Sequence, residues 1–196
     1  MSELVKCAGN KILICCFGGM ALQMGGIPPF EFVNYLSSMY TDRCDLLFYV
    51  DKRQCCYHKG IDGITTNIDE TMAYLNGKIS GYEKVIFMGT SAGGYAAILF
   101  GSLCNKVDYV VAFIPKVKLN RPVVAKYSNL NTFINSHTSY RLIGDTSITD
   151  VTHNHHILHC ELLEGFANVQ VIRKAGVNLK VLRDTGVIKS IIDELI

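Results

Sequence analysis

Ser91 stands in the string Gly89, Thr90, Ser91, Ala92, Gly93, Gly94, and four of the six histidines fall in THNHHILHCE, at His153, His155, His156 and His159. A serine hydroxyl is a weak nucleophile until an imidazole accepts its proton, and a carboxylate on the ring's other nitrogen usually orients that imidazole. Serine, histidine and carboxylate are together the parts of an acyl-transfer site. The histidines also have a second chemistry open to them. His155 and His159 have i, i+4 spacing, and with His153 or Cys160 nearby they offer the nitrogen and sulfur ligands that zinc takes. A surface cluster without chemistry is the third reading. Cys55 and Cys56 lie in a loop beside Tyr57 and His58, where a reactive thiol would need a positioned base that the sequence does not reveal.

Something must hold these residues together, and the chain alternates short apolar, β-branched runs with stretches of helical character. That is the pattern of a parallel sheet covered on both faces. Strands are predicted at 11–17, 45–50, 84–88, 107–113, 139–144 and 168–173. Helices are predicted near 29–40, 67–79, 92–103, 123–136 and 152–164, with a last one from about 182 to the end. The fold class is therefore α/β, a single doubly wound domain over residues 1–196 with a mostly parallel sheet of about six strands. No connection is long enough for a large lid. Ligands of such sheets bind outside the carboxyl ends of the strands, so the segments after residues 17, 50, 88, 113, 144 and 173 should form the site.

The serine turn falls at one of these ends, with a strand before it and a helix after it. A serine on so sharp a turn takes strained backbone angles, and glycines two before and two after it let strand and helix approach closely. The helix N-terminus then presents backbone N–H groups, that of Ala92 among them, to a developing oxyanion. A glycine-rich turn that binds phosphate, or merely turns, is the plainer alternative. Residues 84–103 resemble the nucleophile elbow of the α/β-hydrolase superfamily, and the strand–helix alternation agrees over nearly the whole chain.

The resemblance implies several further residues. A second oxyanion donor comes from a loop after an early strand, and Phe17, Gly18, Gly19, Met20 is similar to the HGG-type loop of the superfamily, with Gly19 or Met20 supplying the N–H. A flexible glycine connection is the alternative there. A second small-residue turn, Gly25 to Pro29, follows, and the PPFEF run should start the first helix. Gly18, with Tyr57 and His58 of the loop after the second strand, is expected to contact substrate, although a solvated loop of mixed charge reads equally well. The superfamily order is serine, acid, histidine. Asp145 directly follows the fifth strand and is the expected acid, with Asp150 in the same loop; either one also suits an Asx turn or helix cap. The histidine should follow the last strand, but Val177 stands there and no histidine occurs after His159. The base is then sought in the cluster: His156 first, His155 and His153 behind it, with His159 one turn deeper.

A net charge of +2 without a basic stripe argues against nucleic acid. The N-terminal apolar run is too short to span a bilayer and reads as a buried strand, so no membrane partner is expected. Eight cysteines in a chain with so large an apolar fraction read as reduced thiols, hence a cytoplasmic protein. The expected function is a serine hydrolase cleaving an ester or related acyl bond of a small molecule through Ser91, His156 and Asp145, with no cofactor or metal. A catalytically inactive hydrolase-like binding protein is the first alternative, motivated by the missing terminal histidine. An acyltransferase using the same serine is the second.

Overall fold

Along residues 12–17 both faces of the strand are apolar: Leu13, Cys15 and Phe17 point to one side, Ile14 and Cys16 to the other, and all five are buried. Such a strand is stable only inside a sheet covered on both faces. The computed structural model describes residues 1–20 and 32–196 and has that arrangement. The described strands are β1 (Glu3–Lys6), β2 (Ile12–Phe17), β3 (Cys44–Tyr49), β4 (Lys84–Thr90), β5 (Tyr109–Phe113), β6 (Ser139–Asp145) and β7 (Val169–Lys174). They form one sheet in the order β1-β3-β2-β4-β5-β6-β7. β2 to β7 run parallel; β1 pairs antiparallel with β3 at the edge and is the strand the sequence reading did not separate.

Six described helices cover the sheet. On one face lie α2 (Ile68–Ile79), α3 (Ala92–Leu103) and α4 (Leu158–Glu161); on the other lie α1 (Val33–Tyr40), α5 (Leu179–Asp184) and α6 (Val187–Asp193). The turn at Gly25 to Pro29 and the expected helix start at PPFEF lie outside the described residues, save for Phe32, which precedes α1. None of the helices among the described residues is long and apolar enough to cross a membrane. All eight cysteines are free thiols.

Two helix expectations are corrected. Residues 123–136 form only short 3₁₀ turns at Ala125–Tyr127 and Leu130–Thr132. Asparagine is the reason: Asn129 Oδ1 takes the N–H of Asn131, and Asn135 Oδ1 takes those of His137 and Thr138. Side chains that bond their own backbone compete with the helix ladder. Residues 152–164 are helical only at α4, because the chain before it runs through successive i to i+3 turns, with the N–H groups of His153, His156 and His159 bonded to the carbonyls of Asp150, His153 and His156. That difference decides which histidine reaches the serine.

Candidate active site

β4 delivers Ser91 to the carboxyl edge of the sheet, where its backbone has φ 54° and ψ −114°. L-residues rarely adopt such angles, and here the neighbours enforce them. Ser91 N–H donates to Phe113 O at 3.0 Å, and Ser91 O accepts from Tyr95 N at 3.0 Å and from Lys116 N at 3.3 Å. The flanking glycines are steric necessities. A Cβ on Gly93 would lie 2.0 Å from Phe17 O, and one on Gly89 would lie 2.4 Å from the Gly93 backbone. α3 thus starts against β2 with no side chain between them, which brings the Ala92 end of the helix beside the Phe17–Met20 loop.

Ser91 Oγ lies 2.7 Å from His155 Nε2. His155, not His156, is the histidine that the fold brings to the serine. His156 Nδ1 instead accepts the N–H of Leu158 at 3.1 Å, and its backbone bridges in parallel to Asp145. His153 is exposed; its Nδ1 accepts the His155 N–H at 3.1 Å, and its ring meets that of His155 edge to face at 5.3 Å. His159 Nδ1 accepts the N–H of Val117 at 3.2 Å. The reading that favoured His156 assumed helical spacing, and the i to i+3 turns put the neighbouring ring at the serine instead. Among the described residues no group of three or more histidines, cysteines or carboxylates is arranged to hold a metal ion, so the zinc reading has no assembled ligand set there.

Both candidate acids are occupied. Asp145, 5 % exposed, accepts from Ser147 N and Oγ and Gly176 N on Oδ1, and from Val177 N on Oδ2, at 2.6–2.9 Å. Burial pushes its carboxyl up, but the bonds from Ser147, Val177 and Gly176 outweigh this and hold it below the ordinary value. Asp150 Oδ1 is taken by the N–H and hydroxyl of Thr152. Among the described residues no carboxylate hydrogen-bonds His155. Asp145 reaches it through space: burial, His153 and the Lys116 ammonium lower the imidazole's proton affinity, and the Asp145 charge opposes them.

The loop after β3 has a different part from the expected one. Asp51 is buried and accepts the N–H groups of Cys55 and Tyr57, winding the chain so that Gln54, Cys56 and Tyr57 take positive φ. Tyr57 is fully buried, with Oη 3.0 Å from Gly18 O and 3.1 Å from Tyr49 O, while Gln54 Nε2 donates to Met20 O at 2.7 Å. These bonds pin the Gly18–Met20 loop. His58 is 1 % exposed; its Nδ1 accepts the N–H of Val124, so its Nε2–H faces Tyr95 Oη at 2.8 Å, and Tyr95 donates to Tyr127 O. Tyr57 and His58, expected to contact substrate, are buried here and hydrogen-bonded within the protein. The reactive-thiol reading fares no better, since burial pushes Cys56 up to about 11 and raises Cys55 as well.

Lys116 was not anticipated from the sequence. Ile114, at φ 39°, bends the chain after β5 back over the serine turn, where Lys116 N meets Ser91 O. A β-branched residue at positive φ leaves no pattern that a sequence reading detects.

The overall fold recurs in solved structures. An α/β-hydrolase enzyme from the metagenome of sediments of the Mar Chica lagoon, Morocco, matches at 16 % identity and a TM-score of 0.64, over 98 % of this chain and 92 % of its own. The fold is that of an α/β-hydrolase. The Pyrococcus furiosus esterase Pf2001 matches at 14 % identity and a TM-score of 0.59, over 95 % and 80 % of the two chains. A bifunctional GH43-CE protein of Bacteroides eggerthii matches at 14 % and 0.66, over 98 % of this chain, which spans only 32 % of that protein's length. Neither a protein-family model nor a curated protein matches the chain.

Proposed function

We propose that this α/β-hydrolase-fold protein is a serine hydrolase that cleaves an ester or related acyl bond of a small molecule. The observation that carries the reading is the 2.7 Å approach of Ser91 Oγ and His155 Nε2 at a strained strand-to-helix turn. Its structural neighbours include proteins described as esterases, which supports the same class of substrate.

In the proposed reaction His155 Nε2 takes the Ser91 proton as Oγ adds to the acyl carbon. Negative charge moves to the carbonyl oxygen, where the Ala92 N–H is the first donor, since the opening N–H groups of a helix have no intrahelical acceptor. Gly19 or Met20 is the second, on the loop that Tyr57 and Gln54 hold. The tetrahedral adduct collapses, the imidazolium gives its proton to the leaving oxygen, and water repeats the sequence on the acyl-serine. Asp145 acts on His155 as a charge at a distance and as an anchor of the segment at 176–177. The pairing is thus a Ser–His dyad with an electrostatic third member.

The test is fluorophosphonate labelling, read by intact mass, together with hydrolysis of p-nitrophenyl acetate. Wild type should be labelled on Ser91, and Ser91→Ala should not be. His155→Ala should lose about 10²–10⁴-fold in both rates, the usual worth of a positioned base, while His156→Ala stays within a few-fold. A folded wild type that resists labelling overturns the reading in favour of a binding protein; turnover only with an alcohol or amine acceptor makes it a transferase.

A further inference from the structure

Beyond His155 the same segment walls a groove of about 530 Å³, closed on its other side by residues 118–120. The groove is joined to the nucleophile by consecutive backbone bonds. Lys116 N donates to Ser91 O, and the next residue, Val117, donates its N–H to Nδ1 of His159, which lines the groove. A neutral imidazole that accepts on Nδ1 carries its proton on Nε2, and that Nε2–H has no acceptor among the described residues.

The groove has an ammonium group in its lining, that of Lys118, and neither Lys118 nor Lys116 pairs with a carboxylate among the described residues. Glu161, the acid in the wall, turns to Arg173 at 3.0 Å, a cation it shares with Glu164, and Asp150 Oδ1 accepts from Thr152. Burial, and next the Lys116 ammonium, push His159 down to about 4, so its ring stays a neutral donor. Leu158 and Leu162 supply an apolar flank. A donor N–H in a groove that also holds an ammonium group unpaired with any carboxylate among the described residues suits an oxyanion on a short apolar stem.

We infer that this groove binds an oxyanion, a carboxylate or a phosphate, on the part of the substrate remote from the scissile bond, received by His159 Nε2–H and the Lys118 ammonium. The inference rests on the serine-hydrolase reading and narrows its substrate to anionic esters. His159 and Lys118 are then specificity residues, and no step of the chemistry passes through them.

The experiment compares kcat/KM for p-nitrophenyl valerate and for the mono-p-nitrophenyl ester of glutaric acid, which replaces the terminal methyl by a carboxylate. Wild type should prefer the glutarate ester by roughly tenfold, the equivalent of one charge-assisted hydrogen bond, with the gain in KM and weakened by salt. Lys118→Met and His159→Asn, the latter keeping an acceptor for Val117 N–H, should each erase most of the preference. Equal kcat/KM in wild type, or a preference that survives both substitutions, overturns the subsite. If Ser91 is unlabelled and neither ester turns over, the hydrolase reading has failed separately, and the groove is judged by binding. Glutarate and inorganic phosphate are then titrated at millimolar concentration against the His159 Cε1–H resonance, assigned by its loss in His159→Asn. A saturable shift that Lys118→Met abolishes upholds the oxyanion site and tells carboxylate from phosphate; no shift with either overturns it.

Discussion

A serine gives its proton only to an imidazole that is still neutral, and the surroundings of His155 keep it so. Burial is the largest influence, His153 and Lys116 act the same way, and Asp145 opposes them, leaving the folded value below 6.5. Protonated His155 accepts nothing, so activity should rise with pH through a midpoint below 6.5. Removing a neighbouring charge shifts that midpoint with a definite sign. Lys116→Met deletes a cation that disfavours the imidazolium, so the acid limb of the kcat/KM profile should move up in pH; Asp145→Asn deletes the charge that favours it, so the limb should move down. Profiles that fail to move apart would show that neither residue acts on His155. The same residues mark what the sequence could disclose. Ser91 was legible because strand, glycines and helix surround it in one continuous string. The histidine cluster was legible as a set, but its members could not be ranked, because the rank depends on imidazoles that cap their own turns. Lys116 was invisible, since it meets Ser91 through a bend at Ile114 and a backbone bond.

Glycine spacing at the start of α3 sets how closely a helix can approach a strand. At Gly93 a Cβ would overlap Phe17 O at 2.0 Å, with backbone on both sides and no flexible chain end to yield. Gly93→Ala should therefore destabilise the protein by about 1–3 kcal/mol or more, as overpacking does, and should reduce Ser91 labelling because α3 and the Phe17–Met20 loop move apart. Gly77 is the contrast. It lies within α2 with nothing in reach of an added Cβ, so Gly77→Ala should stabilise by about 0.5–1 kcal/mol from helix propensity alone. Urea denaturation of both variants checks the pair, and equal effects would remove the steric argument. Elements dictated by apolar periodicity were read closely from the sequence: the predicted 92–103 coincides with α3, and 67–79 starts one residue before α2. Those rich in asparagine and histidine were not, since periodicity says nothing about side chains that bond their own backbone. β1 escaped for another reason. Its four residues are an edge strand, paired on one side only, with exposed positions and no buried alternation to announce it.

The parallel order of β2 to β7 gathers the carboxyl ends of the strands on one edge, and with them the serine turn, the Asp145 segment and the histidines. Packing that edge keeps three imidazoles neutral: burial lowers His58, His155 and His159 from 6.5, the last to about 4. Stability must then depend on pH through these groups. Above 6.5 folded and unfolded chains both hold the rings neutral, and the full stability is present. As pH falls below 6.5 the unfolded chain takes up protons that the folded chain refuses, so stability declines, and for His159 the decline runs down to about 4. Asp45 and Asp145, held below 3.8 by their hydrogen bonds against the opposing effect of burial, add a separate loss at lower pH. Urea midpoints measured between pH 7 and pH 4.5 should therefore fall before the carboxylates titrate. His159→Asn, which still accepts the Val117 N–H but has no ring to protonate, should show a smaller fall over that window than wild type, corresponding to about one fewer proton taken up on unfolding. An unchanged slope would mean that His159 is as free to protonate in the folded protein as in the unfolded chain, and the neutral donor in the groove would be lost with it.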